Sequence, residues 1–211
     1  MTFLFIMHFL IYMENELKLK VVILGGTNIG KTCIISQYVN GTFDTTEPVT
    51  SNACYKKKIL TTKGTSISLF LWDTPGIEKF RSLNRIFMGD SDVGIFVYDP
   101  FSRQTFEELS WYVDSMKSMK SNCRKNALYI LCENKSDIKD LDRKVTIEEA
   151  KIYADTIGAK FCQVSAKTGE GLEEMFQLCG NCLLGIDKNK SIKKFVIQKN
   201  VKRKERTECI K

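Results

Sequence analysis

Apolar and polar positions along the chain follow two rhythms. Short apolar runs rich in β-branched residues fall at 18–24, 54–60, 66–72, 93–98, 127–132 and 160–164 and predict strands. Stretches with helical spacing follow most of them, at 31–39, 78–88, 104–119, 147–157 and 170–184. Thr146, with Glu148 and Glu149 just after it, suits a helix N-terminus. Residues 61–65, Thr-Thr-Lys-Gly-Thr, carry a hairpin signal between the second and third runs. Elsewhere strand and helix alternate. The predicted fold is α/β: a mostly parallel six-stranded sheet with one antiparallel edge strand and helices on both faces. Ligands of such sheets bind at the carboxyl ends of the strands, so the chemistry should sit in the strand-to-helix turns.

The first such turn is Gly25-Gly26-Thr27-Asn28-Ile29-Gly30-Lys31-Thr32, a match to GxxxxGK(S/T) with a strand before it and a helix after it. Glycines let successive backbone N–H groups converge on phosphate, and the helix N-terminus adds partial positive charge. Lys31 would bridge the β- and γ-phosphates, and the Thr32 hydroxyl would ligate Mg²⁺. Asp73 ends the third strand in Trp72-Asp73-Thr74-Pro75-Gly76 and suits a carboxylate that orients Mg²⁺ through water. Gly76 suits a backbone N–H facing a γ-phosphate with no Cβ in the way. Asp-x-x-Gly alone is a common turn; after a P-loop and a second strand it becomes specific. Asn134-Lys135-Ser136-Asp137 follows the fifth strand. An Asp carboxylate can accept from guanine N1–H and its 2-amino group together, and adenine offers no such pair. Ser165-Ala166-Lys167, after the last strand, is a further base-contacting segment. A P-loop ATPase or kinase conflicts with the Asn134, Lys135 and Asp137 pattern.

Charge changes the picture at the ends. The 211 residues carry a net +7, which would suit phosphate, nucleic acid or an anionic membrane. Residues 188–211 hold ten Lys/Arg against Glu205 and Glu208, so the body is close to neutral. A nucleic-acid-binding fold would carry the excess on its body, so no nucleic-acid partner is expected. The polybasic tail, 187–211, is either a solvated extension or a segment drawn to an anionic cytosolic leaflet. Residues 1–16 form an apolar extension, but no apolar run approaches the about 20 residues of a membrane span. No basic residue precedes its Phe3–Met13 core and no small-residue cleavage site follows, unlike a signal peptide. It reads as a short apolar anchor or, preferably, as an extension ahead of a start at Met13. His8 is the only histidine in the chain, which rules out histidine catalysis in the body. The eight cysteines are scattered, several inside apolar runs, as buried thiols of a reducing compartment would be. Cys179 and Cys182 form a CxxC without a second pair at zinc-site spacing.

Together these motifs resemble a Ras-superfamily small GTPase, most similar to the Rab family, over roughly residues 17–186. Rab-like stretches include Trp72 to Gly76, Lys79-Phe80-Arg81-Ser82-Leu83, Gly94 to Asp99 and the run from Ser165. The resemblance implies a G domain over 17–186 that uses GTP/GDP and Mg²⁺. It implies Thr50 as the switch I threonine, ligating Mg²⁺ with its hydroxyl and meeting the γ-phosphate with its N–H. Phe43 would pack on the guanine face, and Cys33 would contact the α-phosphate through its N–H. The catalytic set is then Lys31, Thr50 and Gly76, and the metal set Thr32, Thr50 and Asp73. Remaining nucleotide contacts fall to Gly25, Thr27, Asn28, Ile29, Gly30, Asn134, Lys135, Asp137, Ser165, Ala166 and Lys167. The implied partners of this monomer are an exchange factor, a GTPase-activating protein and effectors. The implied location is the cytosolic face of an internal membrane.

Three departures bear on mechanism. The family has Gln after the Asp-x-x-Gly glycine, where its amide orients the attacking water; Ile77 has neither donor nor acceptor. Thr27 and Asn28 put side chains where smaller residues are usual, crowding the γ-phosphate. Slow hydrolysis follows, or, in a second reading, a persistently GTP-loaded binding module. Switch I reads Ser51-Asn52-Ala53-Cys54-Tyr55 after Thr50, so the family's effector contacts do not carry over. The chain ends Cys209-Ile210-Lys211, one residue short of a C-a-a-X prenylation signal. Cys209 with the polybasic run still fits two-signal membrane anchoring.

Overall fold

The computed structural model describes residues 17–44, 46, 48–77, 81–119, 127–138 and 142–185, with backbone only at 81–83. The expected apolar extension, the basic tail with Cys209, and Lys79 and Phe80 lie outside the described residues. Among the described residues six strands form one sheet: β1 (Leu17–Leu24), β2 (Cys54–Thr62), β3 (Thr65–Asp73), β4 (Val93–Tyr98), β5 (Leu128–Glu133) and β6 (Lys160–Gln163). Their spatial order is β2-β3-β1-β4-β5-β6. Among the described residues only β2 and β3 pair antiparallel; the other pairs are parallel. All of β4 is buried, as a strand covered on both faces requires. The edge strand β2 carries Lys56, Lys57 and Lys58, charges that discourage pairing with another chain.

The helices are α1 (Lys31–Asn40), α2 (Arg81–Met88), α3 (Arg103–Glu107), α4 (Leu109–Ser118), α5 (Ile147–Ile157) and α6 (Leu172–Leu183). Two apolar cores form, one on each face of the sheet. Ile34, Ile35 and Tyr38 of α1 meet Met175, Phe176 and Cys179 of α6 on one face. Met88, Tyr112, Met116, Ala150 and Ala154 cover the other. Cys132, Cys179 and Cys182 are buried, and burial pushes the Cys132 and Cys179 thiols up, so they act as small apolar side chains. Among the described residues no helix is long and apolar enough to cross a membrane.

Three details differ from expectation. The hairpin turn is two residues, Lys63 and Gly64, at φ 47° and 77°. Both values are positive, the backbone that matches strand twist in a tight hairpin, so β2 and β3 each run further than their apolar cores. The expected helix 104–119 divides at Glu108, where Ser110 Oγ donates to Glu107 O and competes with the helical ladder. The last helix starts at Leu172 because Gly171 precedes it in the left-handed region.

Candidate functional site

The P-loop connects the carboxyl end of β1 to the first turn of α1. Gly25, Asn28 and Gly30 all have positive φ, the curled backbone expected of a phosphate cradle. Gly30 also has no room for a side chain: a Cβ there would strike the Asn134 amide. Ile29 is buried, while Thr27 and Asn28 face the cleft together with Cys33, Thr50 and Gly76. Lys31 is 6% exposed, and its Nζ donates to Gly25 O at 3.0 Å and Gly26 O at 2.5 Å. Burial lowers its pKa to about 8, against the opposing pull of Asp73 and Glu108.

Residues far apart in sequence converge beside Lys31. Thr32 Oγ1 lies 2.8 Å from Asp73 Oδ2 and 2.9 Å from Thr50 Oγ1. Thr50 Oγ1 lies 3.4 Å from the same carboxylate oxygen. Asp73 Oδ1 is buried with no hydrogen-bond partner among the described residues. Burial raises the Asp73 pKa, and the Thr32 hydrogen bond and the Lys31 charge only partly offset this. Two hydroxyls and an under-satisfied carboxylate make a hard oxygen donor set, which fits Mg²⁺. A phosphate beside Lys31 and a divalent cation beside Asp73 would each restore the charged form that burial disfavours. Gly76 approaches the P-loop so closely that a Cβ would meet Gly26 O and Lys31 Nζ. Thr74 Oγ1, donating to Ile23 O at 2.6 Å, and Asn84 Nδ2, donating to Pro75 O at 2.9 Å, hold that segment in place.

The motif expected to read a base stands at the ends of β5 and β6. Asn134 is 1% exposed; its Nδ2 donates to Ile29 O at 2.8 Å and its Oδ1 accepts from Ala166 N at 3.0 Å. One amide thus joins the P-loop to the Ser165–Lys167 loop. Ser165 Oγ donates to Asp137 Oδ1 at 2.6 Å. A carboxylate has about four acceptor sites, so Asp137 retains capacity for two base N–H groups. Lys135 has φ 66° and pairs with Asp99 Oδ2 at 2.5 Å. Lys167 is exposed. Phe43 is exposed on the loop after α1, where Cys33 Sγ donates to Asp44 O. Sequence reasoning missed Asp99 as the partner of Lys135, although its place at the end of β4 was a signal. It also missed Glu108, whose Oε2 would lie 3.0 Å from a Cβ on Gly26.

Residues 20–184 match the Ras family. The Ras-related protein RabJ of Dictyostelium discoideum is 34% identical over 182 residues, covering 86% of this chain and 70% of RabJ. Rab-4A of Rattus norvegicus is 33% identical over 165 residues, covering 78% of this chain and 74% of its own. Rab-21 of Mus musculus is 35% identical over 161 residues, covering 76% and 71%. With its P-loop, its paired threonines on Asp73 and its Asn134–Asp137 turn, the chain belongs to the Ras superfamily of small GTPases as a Rab-like member.

Proposed function

We propose that the chain is a GTP/GDP switch of Rab type in intracellular vesicle traffic, with slow intrinsic hydrolysis. The observation that carries this reading is the convergence of Lys31, Thr32, Thr50, Asp73 and Gly76 on one cleft, tied through Asn134 to a guanine-reading turn. In this reading the P-loop N–H groups and Lys31 hold the phosphates. Thr32 and Thr50 would hold Mg²⁺ with Asp73 orienting it. Bound there, the ion would neutralise β- and γ-phosphate charge. Asp137, held by Ser165, fixes the base, and Phe43 stacks on it. The Thr50 and Gly76 N–H groups meet the γ-phosphate, so its loss releases both loops.

Ile77 supports slow turnover, because no amide stands there to orient water. We expect Ile77→Gln to raise the single-turnover GTP hydrolysis rate by roughly tenfold to a hundredfold. Equal rates would remove Ile77 as the cause. A second reading, a persistently GTP-loaded binding module, draws support from Thr27 and Asn28 lining the cleft beside Gly76. Nucleotide bound to the purified protein separates the two: mostly GDP supports turnover, mostly GTP the module.

Partner binding in either reading falls to the surface beside the switch loops. Tyr55, Trp72 and Phe87 pack side by side, with ring centroids 5.2 and 5.4 Å apart. Tyr55 is 54% exposed, and Val49 and Ile86 are exposed nearby in sequence. An effector that distinguishes the nucleotide states would contact such a surface, since it joins the Thr50 segment to the Gly76 segment through β2 and β3. An exchange factor and a GTPase-activating protein would act at the same loops. The charge of the tail supports peripheral attachment to the cytosolic face of an internal membrane.

A further inference from the structure

One buried carboxylate ties three strand ends together. Glu133 closes β5, is 0% exposed, and stands in register between Tyr98 of β4 and Gln163 of β6. Its Oε2 accepts from Tyr98 OH at 2.6 Å and from Arg143 Nη1 at 2.8 Å. Its Oε1 accepts from Arg143 Nη2 at 2.6 Å and from Gln163 Nε2 at 2.9 Å. These four bonds use about the whole acceptor capacity of a carboxylate. Burial alone would push the Glu133 carboxyl up, but the bonds from Arg143, Tyr98 and Gln163 outweigh it and hold it below its ordinary value. Arg143 also donates to Val145 O at 3.0 Å, and the N–H groups of Lys144 and Val145 donate to Pro100 O. The guanidinium therefore fixes the segment entering α5 as well.

A buried ion pair adds little net stability over apolar packing, so its use here calls for another reason. The residues beyond the three tied positions supply one. Tyr98 precedes Asp99, the partner of Lys135. Glu133 precedes Asn134, the link to the P-loop. Gln163 stands two residues before Ser165, the partner of Asp137. We propose that the Glu133–Arg143 pair positions the guanine-reading turn, setting the three loops in mutual register so that the Asp137 carboxylate meets the base edge. Neither residue touches the nucleotide; both act through Asn134, Lys135 and Asp137. The inference rests on the guanine reading of the site.

Its test compares GDP with IDP, which lacks the 2-amino group that Asp137 reads. The ratio of the two affinities is independent of how much protein is folded. We expect Arg143→Met to reduce the preference for GDP over IDP by about tenfold, the scale of effect that a small misplacement of a binding group produces. Arg143→Lys keeps the charge but not the bidentate fork, and should show a smaller reduction. An unchanged ratio in both variants, whatever happens to the melting temperature, overturns the proposal. If Arg143→Met does not fold, the Arg143→Lys ratio decides: a reduction supports positioning and the wild-type value overturns it. Wild-type protein that binds neither nucleotide would overturn the guanine reading and the inference with it, whereas wild-type discrimination that survives in the variants overturns the inference alone.

Discussion

Asp137→Asn should lower GDP affinity by about 10³- to 10⁴-fold and create preference for the xanthine nucleotide. Guanine presents two N–H donors on this edge, and a carboxylate accepts both. Rejection on this scale is what a site built around hydrogen bonds achieves when one partner is mismatched. The direction of the change depends on Ser165, whose Oγ donates to Asp137 Oδ1. In the variant that hydroxyl would retain the amide oxygen and leave Nδ2 turned towards the base. An amide donor there opposes the guanine 2-amino group and complements the xanthine 2-carbonyl. Competitive titration with GDP and XDP measures the switch. A GDP affinity within about tenfold of wild type would contradict the assigned role of Asp137.

Lys31→Met should weaken nucleotide binding by about 10²- to 10³-fold, because a charge-assisted bond to phosphate in a water-poor cleft is lost. The pH profile separates this charge from simple packing. The Lys31 amine in the free protein has its pKa lowered to about 8, chiefly by burial. Phosphates raise the pKa of the bound form, so above pH 8 binding must take up a proton and wild-type affinity falls as pH rises. Below pH 8 the amine is already charged and this dependence vanishes. In Lys31→Met the fall above pH 8 should be absent. Calorimetric titration of GDP between pH 7 and pH 9.5 reads both effects; an equally steep fall in the variant would assign the proton elsewhere.

Much of the fold was legible because its signals are local. β1 and β4 are short β-branched runs, the P-loop glycines lie between a strand and a helix, and the Thr146 cap accepts from Glu149 N as its sequence suggests. The candidate site was legible as separate motifs, since Gly25–Thr32, Asp73–Gly76, Asn134–Asp137 and Ser165–Lys167 each stand at or just beyond the carboxyl end of a strand. What joins them was not. Thr32, Thr50 and Asp73 are spread over more than 40 residues and meet because β1 pairs in parallel with β3 and β2, entered after Thr50, begins opposite Asp73. The Asn134 bridge to Ile29 spans 105 positions. In sequence Glu133 is one charged residue at the end of an apolar run; its four bonds come from three residues, on β4, β6 and the segment before α5. The break at Glu108 was hidden because the helical spacing continues through it, with dihedrals at φ −63°, ψ −18° still helical.

In the proposed reading this cleft takes a guanine nucleotide with Mg²⁺. Competition of Mg²⁺·ADP against bound Mg²⁺·GDP on the full chain tests it most directly. ADP should fail to displace GDP even at about a thousandfold excess, since Asp137 finds no matching donors on adenine. Displacement of GDP by equimolar ADP would show that the cleft does not select guanine.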